Sequence, residues 1–296
     1  MEARNSLAYY VLDVFTTESY KGNPLSVVFT DGNLIHSQYE NISREFGYSE
    51  TSFVYYSIVQ KMLQVRSFTP IGVEVGGAGH NLLGAVSGAL LKGLISEHTL
   101  SLTVLMENTP IAITVDNLTQ GLPVVKMRQK PVQIGQELAF DLLAKALGLS
   151  EKDLVVRQLI PTIAQTEVAH AMIPVSSINL LNSIKPNANA LIELSKQFDF
   201  EGFYCFAFPE STESYIVQSR FFNPLIGIDE DAATGTAAGP LAGFLCNNKV
   251  IQQDQESQIL QGVKLNQPSL INVVVKEDGI YVGGSSVVTM QGVVYL

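Results

Sequence analysis

The sequence predicts an α+β protein of two pseudo-symmetric lobes, each a mostly antiparallel sheet rolled around one central helix. Three observations lead there. First, the stretch SRFFNPLIGIDEDAATGTAAGPLAGFL (219–245) reads as a strand, an acidic turn, a Gly/Thr-rich elbow and an apolar helix, and VRSFTPIGVEVGGAGHNLLGAVSGALL (65–91) reads the same way. Phe68-Thr69-Pro70 corresponds to Phe222-Asn223-Pro224 and Gly79-His80 to Gly235-Thr236, with two extra residues before the second elbow. A repeated strand–elbow–helix unit implies a repeated lobe. Second, strands outnumber helices, and their order is not the strict β–α alternation of a parallel doubly wound sheet. Third, a chain of 296 residues, 46% hydrophobic and free of low-complexity tracts, is long and apolar enough to fold throughout, as two domains or one large one.

Taken in order, residues 9–15 and 25–29 are expected strands either side of the Gly22-Asn23-Pro24 turn. Residues 37–46 are an expected helix, with Ser37 and Glu40 as a capping box and Gly47 as its stop. Strands over 49–56 and 62–68 lead into the first elbow helix, 80–92, and strands over 100–106, 111–115 and 124–127 follow. The segment 115–123, VDNLTQGLP, is polar and turn-rich enough to hold a domain boundary. Residues 1–118, completed by the C-terminal strand 286–296, are therefore the expected N-terminal lobe, and 119–285 the C-terminal lobe. Beyond the boundary, 137–147 is an amphipathic helix closed by Gly148, 168–174 a strand and 187–198 a helix. Strands over 203–208 and 215–222 enter the second elbow, and the tail carries strands at 271–275, 279–282 and 287–296 around a turn at Glu277-Asp278-Gly279.

The elbows have the chemistry of anion sites. The first N–H groups of a helix lack intrahelical partners and the helix dipole adds positive charge there. Glycine lets a ligand approach the backbone, so two helix starts facing one cleft would hold a carboxylate. Tight helix packing explains the same glycines, and for one elbow alone both readings stand. Repetition, with His80 on one elbow and Asp231 just before the other, favours function. A histidine at a helix start is disfavoured as imidazolium and can relay a proton when neutral. Thr236 is open to two readings, a helix cap or a hydroxyl donor to substrate. Glu50, in Tyr48-Ser49-Glu50-Thr51-Ser52-Phe53-Val54, is either a solvated edge residue, the commoner case, or a partly buried acid whose pKa burial would raise toward proton-transfer use.

Net charge of −10 and the lack of a basic stripe argue against nucleic-acid binding and make any anion site a local one. No segment approaches a membrane span, and the N-terminus lacks the apolar core of a signal peptide. Cys205 and Cys246 lie in apolar runs without metal-type spacing and read as buried free thiols in a reducing cytoplasm. No metal set, P-loop, dinucleotide motif or G-x-S-x-G elbow is visible.

Residues Asp13-Val14-Phe15, Gly22-Asn23-Pro24, Ser49-Glu50-Thr51, Phe68-Thr69-Pro70, Glu74, Gly79-His80, Glu230-Asp231, Ala233-Thr234-Gly235-Thr236-Ala237, Gln261-Gly262 and Val282-Gly283-Gly284 together carry a likeness over nearly the whole chain. In this order they resemble the phenazine biosynthesis PhzF-like family, within the diaminopimelate epimerase fold. The resemblance implies an active site in a cleft between two similar lobes, a cytosolic homodimer, and an isomerase that needs no cofactor or metal. It implies that Glu50 moves a proton between carbons of a small carboxylate-bearing metabolite, with His80 and Asp231 as its catalytic partners. Gly79, Gly235, Thr236 and Ala237 are the implied substrate-binding residues. The chain also departs from the family pattern. Ala78 and Thr234 stand where related epimerases carry their two cysteines, Leu82 replaces a hydroxyl residue, and Gln267 precedes Pro268-Ser269 where an arginine is common. Two other functions fit the same fold: an amino or hydroxy acid epimerase without the cysteine pair, and a non-catalytic small-molecule-binding protein.

Overall fold

The structure, a computed structural model, describes residues 5–96, 98–119 and 121–296. Its chain divides into two compact units, Met1–Arg128 with Gly283–Leu296, and Gln129–Val282. In chain order the first unit contributes β1 (Ser6–Val14), β2 (Asn23–Phe29), α1 (His36–Phe46), β3 (Thr51–Ser57), β4 (Met62–Phe68), α2 (His80–Lys92), β5 (Ser101–Met106), β6 (Thr109–Thr119) and β7 (Leu122–Gln129). The second contributes β8 (Gln133–Glu137), α3 (Phe140–Leu147), β9 (Thr162–Gln165), β10 (Ala169–Pro174), α4 (Ile178–Ser183), α5 (Ala188–Phe198) and β11 (Gly202–Ala207). It continues with β12 (Val217–Asn223), β13 (Ile228–Asp231), α6 (Gly235–Asn247), β14 (Ser257–Gln261) and β15 (Ser269–Lys276). The long β16 (Gly279–Tyr295) starts in the second unit and ends in the first.

Both units repeat one order of strand pairings. In the first, β1–β2 is antiparallel, β2–β3 parallel, β3–β4 antiparallel, β4–β5 parallel and β5–β6 antiparallel. In the second, β9–β10, β10–β11, β11–β12, β12–β14 and β14–β15 follow the same sequence of senses. The first sheet runs β1-β2-β3-β4-β5-β6-β7-β16 and closes on itself, because β16 also pairs with β1. Its helix α2 packs on β1, β2, β3 and β4, with residues 80–89 all buried. In the second unit α6 packs on β9, β10, β11 and β15. The predicted α+β architecture of mostly antiparallel sheets around central helices is thus the observed one.

The strand β11 explains why an unbroken apolar run is still a strand. Phe203, Cys205 and Ala207 belong to the cluster formed with Leu143, Leu147, Leu191 and Leu194 of α3 and α5, while Phe206 meets Phe244 of α6 at 6.2 Å between rings. Both faces of the strand are covered, so alternation disappears. In the first unit the corresponding outer cluster is Val28, Tyr39, Ile42, Phe53 and Phe68, with Tyr39 and Phe68 stacked 5.0 Å apart.

Several local expectations are corrected. The helix α1 begins at His36, and Gln38, not Glu40, reaches back to accept the Ile35 N–H at 3.0 Å, so Ser37 is inside the helix rather than its cap. Gly47 does stop it, at φ 68°. The polar segment 115–123 lies at the β6–β7 hairpin inside the first unit; turn chemistry marks hairpins as readily as linkers. The expected break between 282 and 287 is absent, and β16 runs through it. Gly283 serves close approach instead of a turn: a Cβ there would lie 2.0 Å from Val125 O. Helix α3 starts at Phe140, after the short polar strand β8. Cys205 and Cys246 are both free; Cys205 is buried, but Cys246 is partly exposed. Among the described residues no helix is long and apolar enough to cross a membrane.

Candidate active site

The first elbow is built by Asn81, a residue the sequence reading passed over. Its Oδ1 accepts the N–H groups of Gly79 and Leu82, each at 2.8 Å, and its Nδ2 donates to Gly77 O at 3.0 Å. Leu83 N–H closes on Gly79 O at 3.2 Å. The helix start therefore presents at most the N–H groups of His80 and Asn81 to a ligand, and the glycine's own N–H is already engaged. Leu82 is fully buried in the core.

His80, the first residue of α2, is buried, and burial holds its pKa down to about 4. The imidazole is neutral at physiological pH. Its lowered basicity comes from desolvation rather than from the helix start that the sequence suggested. Its Nδ1 lies 3.9 Å from Glu50 Oε2, and the Glu50 side chain is 19% exposed. Glu50 is thus the partly buried acid rather than the solvated edge residue. His80 Nε2 is buried and meets no hydrogen-bond partner among the described residues. Orphaned buried polar atoms are rare and call for an explanation such as a catalytic role. Beneath the pair, Ser52 Oγ sits 2.8 Å from Ser67 Oγ and donates to Asn81 O at 3.1 Å, tying β3, β4 and the elbow together.

The approach to this elbow is pinned by an ion pair. Arg66 donates from Nε and Nη2 to both oxygens of Glu74, at 2.6 and 2.7 Å, and stacks over Tyr39 at 4.4 Å. Val75 N–H donates to Ser67 O at 2.8 Å. Such bidentate geometry fixes orientation as well as distance.

The second elbow has the same clamp in a drier setting. Arg220 donates to Glu230 at 2.9 and 2.7 Å and to the carbonyls of Leu181 and Ile184 at 2.9 and 3.2 Å. Its neighbour Asp231 pairs with Phe221 at the edge of β12. Thr234, not Thr236, is the N-cap residue of α6, and its hydroxyl donates to Asp231 Oδ2 at 2.5 Å instead of accepting a helix N–H. The capping reading of Thr236 is thereby overturned, because the helix begins one residue before it. Ala237 and Ala238 N–H close on Thr234 O at 3.2 and 3.0 Å, so the helix start presents at most the N–H groups of Gly235 and Thr236, not that of Ala237. Gln129 holds the elbow from behind, donating to Gly235 O at 3.0 Å. Gln261, Tyr204 and Ser219 form a buried polar cluster against Asp231 and Thr234. Nothing local in the sequence marks Tyr204 or Ser219 for that role.

A family model described as phenazine biosynthesis-like protein, PhzC-PhzF, matches residues 12–292. The trans-2,3-dihydro-3-hydroxyanthranilate isomerase of Pseudomonas chlororaphis is 33% identical over 264 residues, covering 89% of this chain and 88% of its own. The crystal structure of the Bacillus anthracis phenazine biosynthesis protein of the PhzF family matches with a TM-score of 0.89 at 25% identity, covering 99% of this chain and 100% of that one. A hydroxyproline epimerase from Agrobacterium vitis shares the fold alone, with a TM-score of 0.63 at 11% identity over 100% of this chain and 94% of that one.

Proposed function

The chain belongs to the PhzC-PhzF family of phenazine biosynthesis-like proteins and is an isomerase of that type; from that premise we propose that it moves a carbon-bound proton on a small carboxylate-bearing metabolite, without a cofactor, using Glu50 as both base and acid. The observation that carries this reading is the partly buried Glu50 carboxylate 3.9 Å from an imidazole that burial keeps neutral. In the first step the Glu50 carboxylate takes the proton from a substrate C–H bond, and the bonding pair moves into the adjoining unsaturated system. In the second, protonated Glu50 returns the proton to another carbon of that system, and the carboxylate is restored. No net electron transfer occurs. His80 orients the carboxyl group or relays the proton, and Asp231 is assigned as a further catalytic residue. Elbow N–H groups, those of His80 and Asn81 or of Gly235 and Thr236, take the substrate carboxylate.

Leu82 and Gln267 set this chain apart from the family pattern, so the substrate panel extends beyond trans-2,3-dihydro-3-hydroxyanthranilate to other unsaturated ring acids and to amino acids. Binding is read by thermal shift, and each hit is incubated with the protein in deuterium oxide. The isomerase reading expects deuterium at one substrate carbon and a shifted double bond. Deuterium with inversion at a single stereocentre would make the chain an epimerase, and stabilisation with no exchange would make it a binding protein.

A further inference from the structure

Resting on the catalytic role proposed for Asp231, we infer that Gln261, with Tyr204 behind it, is a positioning residue that commits the Thr234 hydroxyl hydrogen to the Asp231 carboxylate. Gln261 is fully buried. Its amide could face either way, but two backbone groups decide. Thr234 N–H can only donate and Asp231 C=O can only accept. Gln261 Oε1 therefore faces Thr234 N at 3.1 Å, and Nε2 faces Asp231 O at 2.9 Å.

The rest of the chain of hydrogen bonds follows. Tyr204 Oη, 2.7 Å from Gln261 Oε1, must donate. Thr234 Oγ1, 3.0 Å from Gln261 Nε2, must accept the second amide hydrogen. A hydroxyl has one hydrogen, and that of Thr234 is left for Asp231 Oδ2 at 2.5 Å. Tyr204, its hydrogen directed at Gln261, accepts from Ser219 Oγ at 3.1 Å; that oxygen also lies 3.3 Å from Leu260 O. Along the side-chain path from Tyr204 Oη through Gln261 and Thr234 Oγ1 to Asp231 Oδ2 the donors thus point one way, and aligned hydrogen bonds in a buried setting polarise one another. A proton on Asp231 Oδ2 would put two hydrogens between the same two oxygens, so Oδ2 is held as an acceptor, and a hydrogen bond accepted there favours the carboxylate over the acid. The Thr234 hydrogen is fixed on a carboxylate. Thr234 is a donor to Asp231 and not a proton shuttle to substrate.

The test needs no substrate, so it fails or succeeds independently of proton transfer by Glu50. Protein labelled at the aspartate γ-carbons is titrated by NMR, with the Asp231 signal assigned by its loss in Asp231→Asn. The charged and titratable neighbours, Tyr204 and the Arg220–Glu230 pair, are the same in the three variants titrated. Thr234→Val and Gln261→Met should raise the Asp231 midpoint by about one pH unit relative to wild type, and Thr234→Ser, which keeps the hydroxyl, should restore it. A role confined to packing would lower the melting temperature of Thr234→Val without moving the midpoint, and that result overturns the inference. So does a Thr234→Ser midpoint displaced as far as that of Thr234→Val. If Gln261→Met does not fold, the Thr234 pair, which changes little volume, still decides.

Discussion

The two elbows are copies with different contents. Each has an arginine two residues before the strand-end phenylalanine, Arg66 or Arg220, and a glutamate five residues before the elbow glycine, Glu74 or Glu230. In both units that arginine and glutamate form a bidentate pair. The acid position is not repeated. Thr51 pairs with Phe68 as Phe203 pairs with Phe222, which makes Gly202 the counterpart of Glu50. A Cβ at Gly202 would lie 2.3 Å from the Phe221 ring, so an aromatic side chain fills the space there. Conversely, the second unit supports Asp231 on a buried polar chain through Thr234, where the first has Ala78. The two elbows share their clamp and differ in their acids: the proposed acid–base group Glu50 belongs to one, and an aspartate held by a threonine hydroxyl to the other.

The largest expected effect sharpens the comparison of the clamps. The side chains of Arg220 and Glu230 are 6% and 12% exposed, against 36% and 24% for Arg66 and Glu74. Arg220→Ala strands a buried carboxylate and should cost about 3–5 kcal/mol. Arg66→Ala leaves Glu74 within reach of water and should cost about 1–2 kcal/mol, including its stacking on Tyr39. Urea unfolding of the two variants measures this, and equal losses would contradict the difference in burial.

Next in size is acid sensitivity. Burial holds His80 to about 4 and His170 to about 3, from an ordinary 6.5. Above pH 6.5 both rings are neutral in folded and unfolded chains and contribute no slope. As pH falls below 6.5 the unfolded chain binds protons that the folded one refuses, so stability falls. Each ring contributes about 1.4 kcal/mol per pH unit, or about 3 kcal/mol between pH 6.5 and 4. By strand register the counterpart of His170 is Leu25. His170→Leu should therefore remove about half of this acid slope in the second unit's favour, and an unchanged slope would show that His170 is protonated in the fold.

The smallest effect concerns the vacant acid position. Gly202→Ala should cost about 1–3 kcal/mol through overpacking against Phe221. Glu50→Ala should change stability by less than about 1 kcal/mol, since the side chain is partly exposed and its truncation overpacks nothing. Melting curves compare them, and a neutral Gly202→Ala would mean that Phe221 can yield.

What the sequence made legible follows from local chemistry. The paired Phe68-Thr69-Pro70 and Phe222-Asn223-Pro224, and the glycines before each apolar helix, carry the repeat because strand ends and helix starts have short-range signatures. Glu50, His80 and Asp231 stood out by residue type and motif. Asn81 did not, because an asparagine inside a helix pattern signals nothing until its loop is folded around it. Gln261 and Tyr204 meet Thr234 only through tertiary structure, and the two Arg–Glu clamps join residues eight and ten apart that no periodicity links. The short strands β8, β9, β13 and β14 are polar or brief, so pattern alone did not separate them from loops.

The most direct measurement is deuterium exchange in Glu50→Gln with a substrate that the wild type turns over. The substitution keeps the shape of the side chain and removes its titratable oxygen. Exchange at the reacting carbon should stop, and kcat should fall about 10²- to 10⁴-fold with KM little changed, because the elbow N–H groups are untouched. Exchange that persists in Glu50→Gln but disappears in His80→Ala or Asp231→Asn would place the base on another residue and contradict the account.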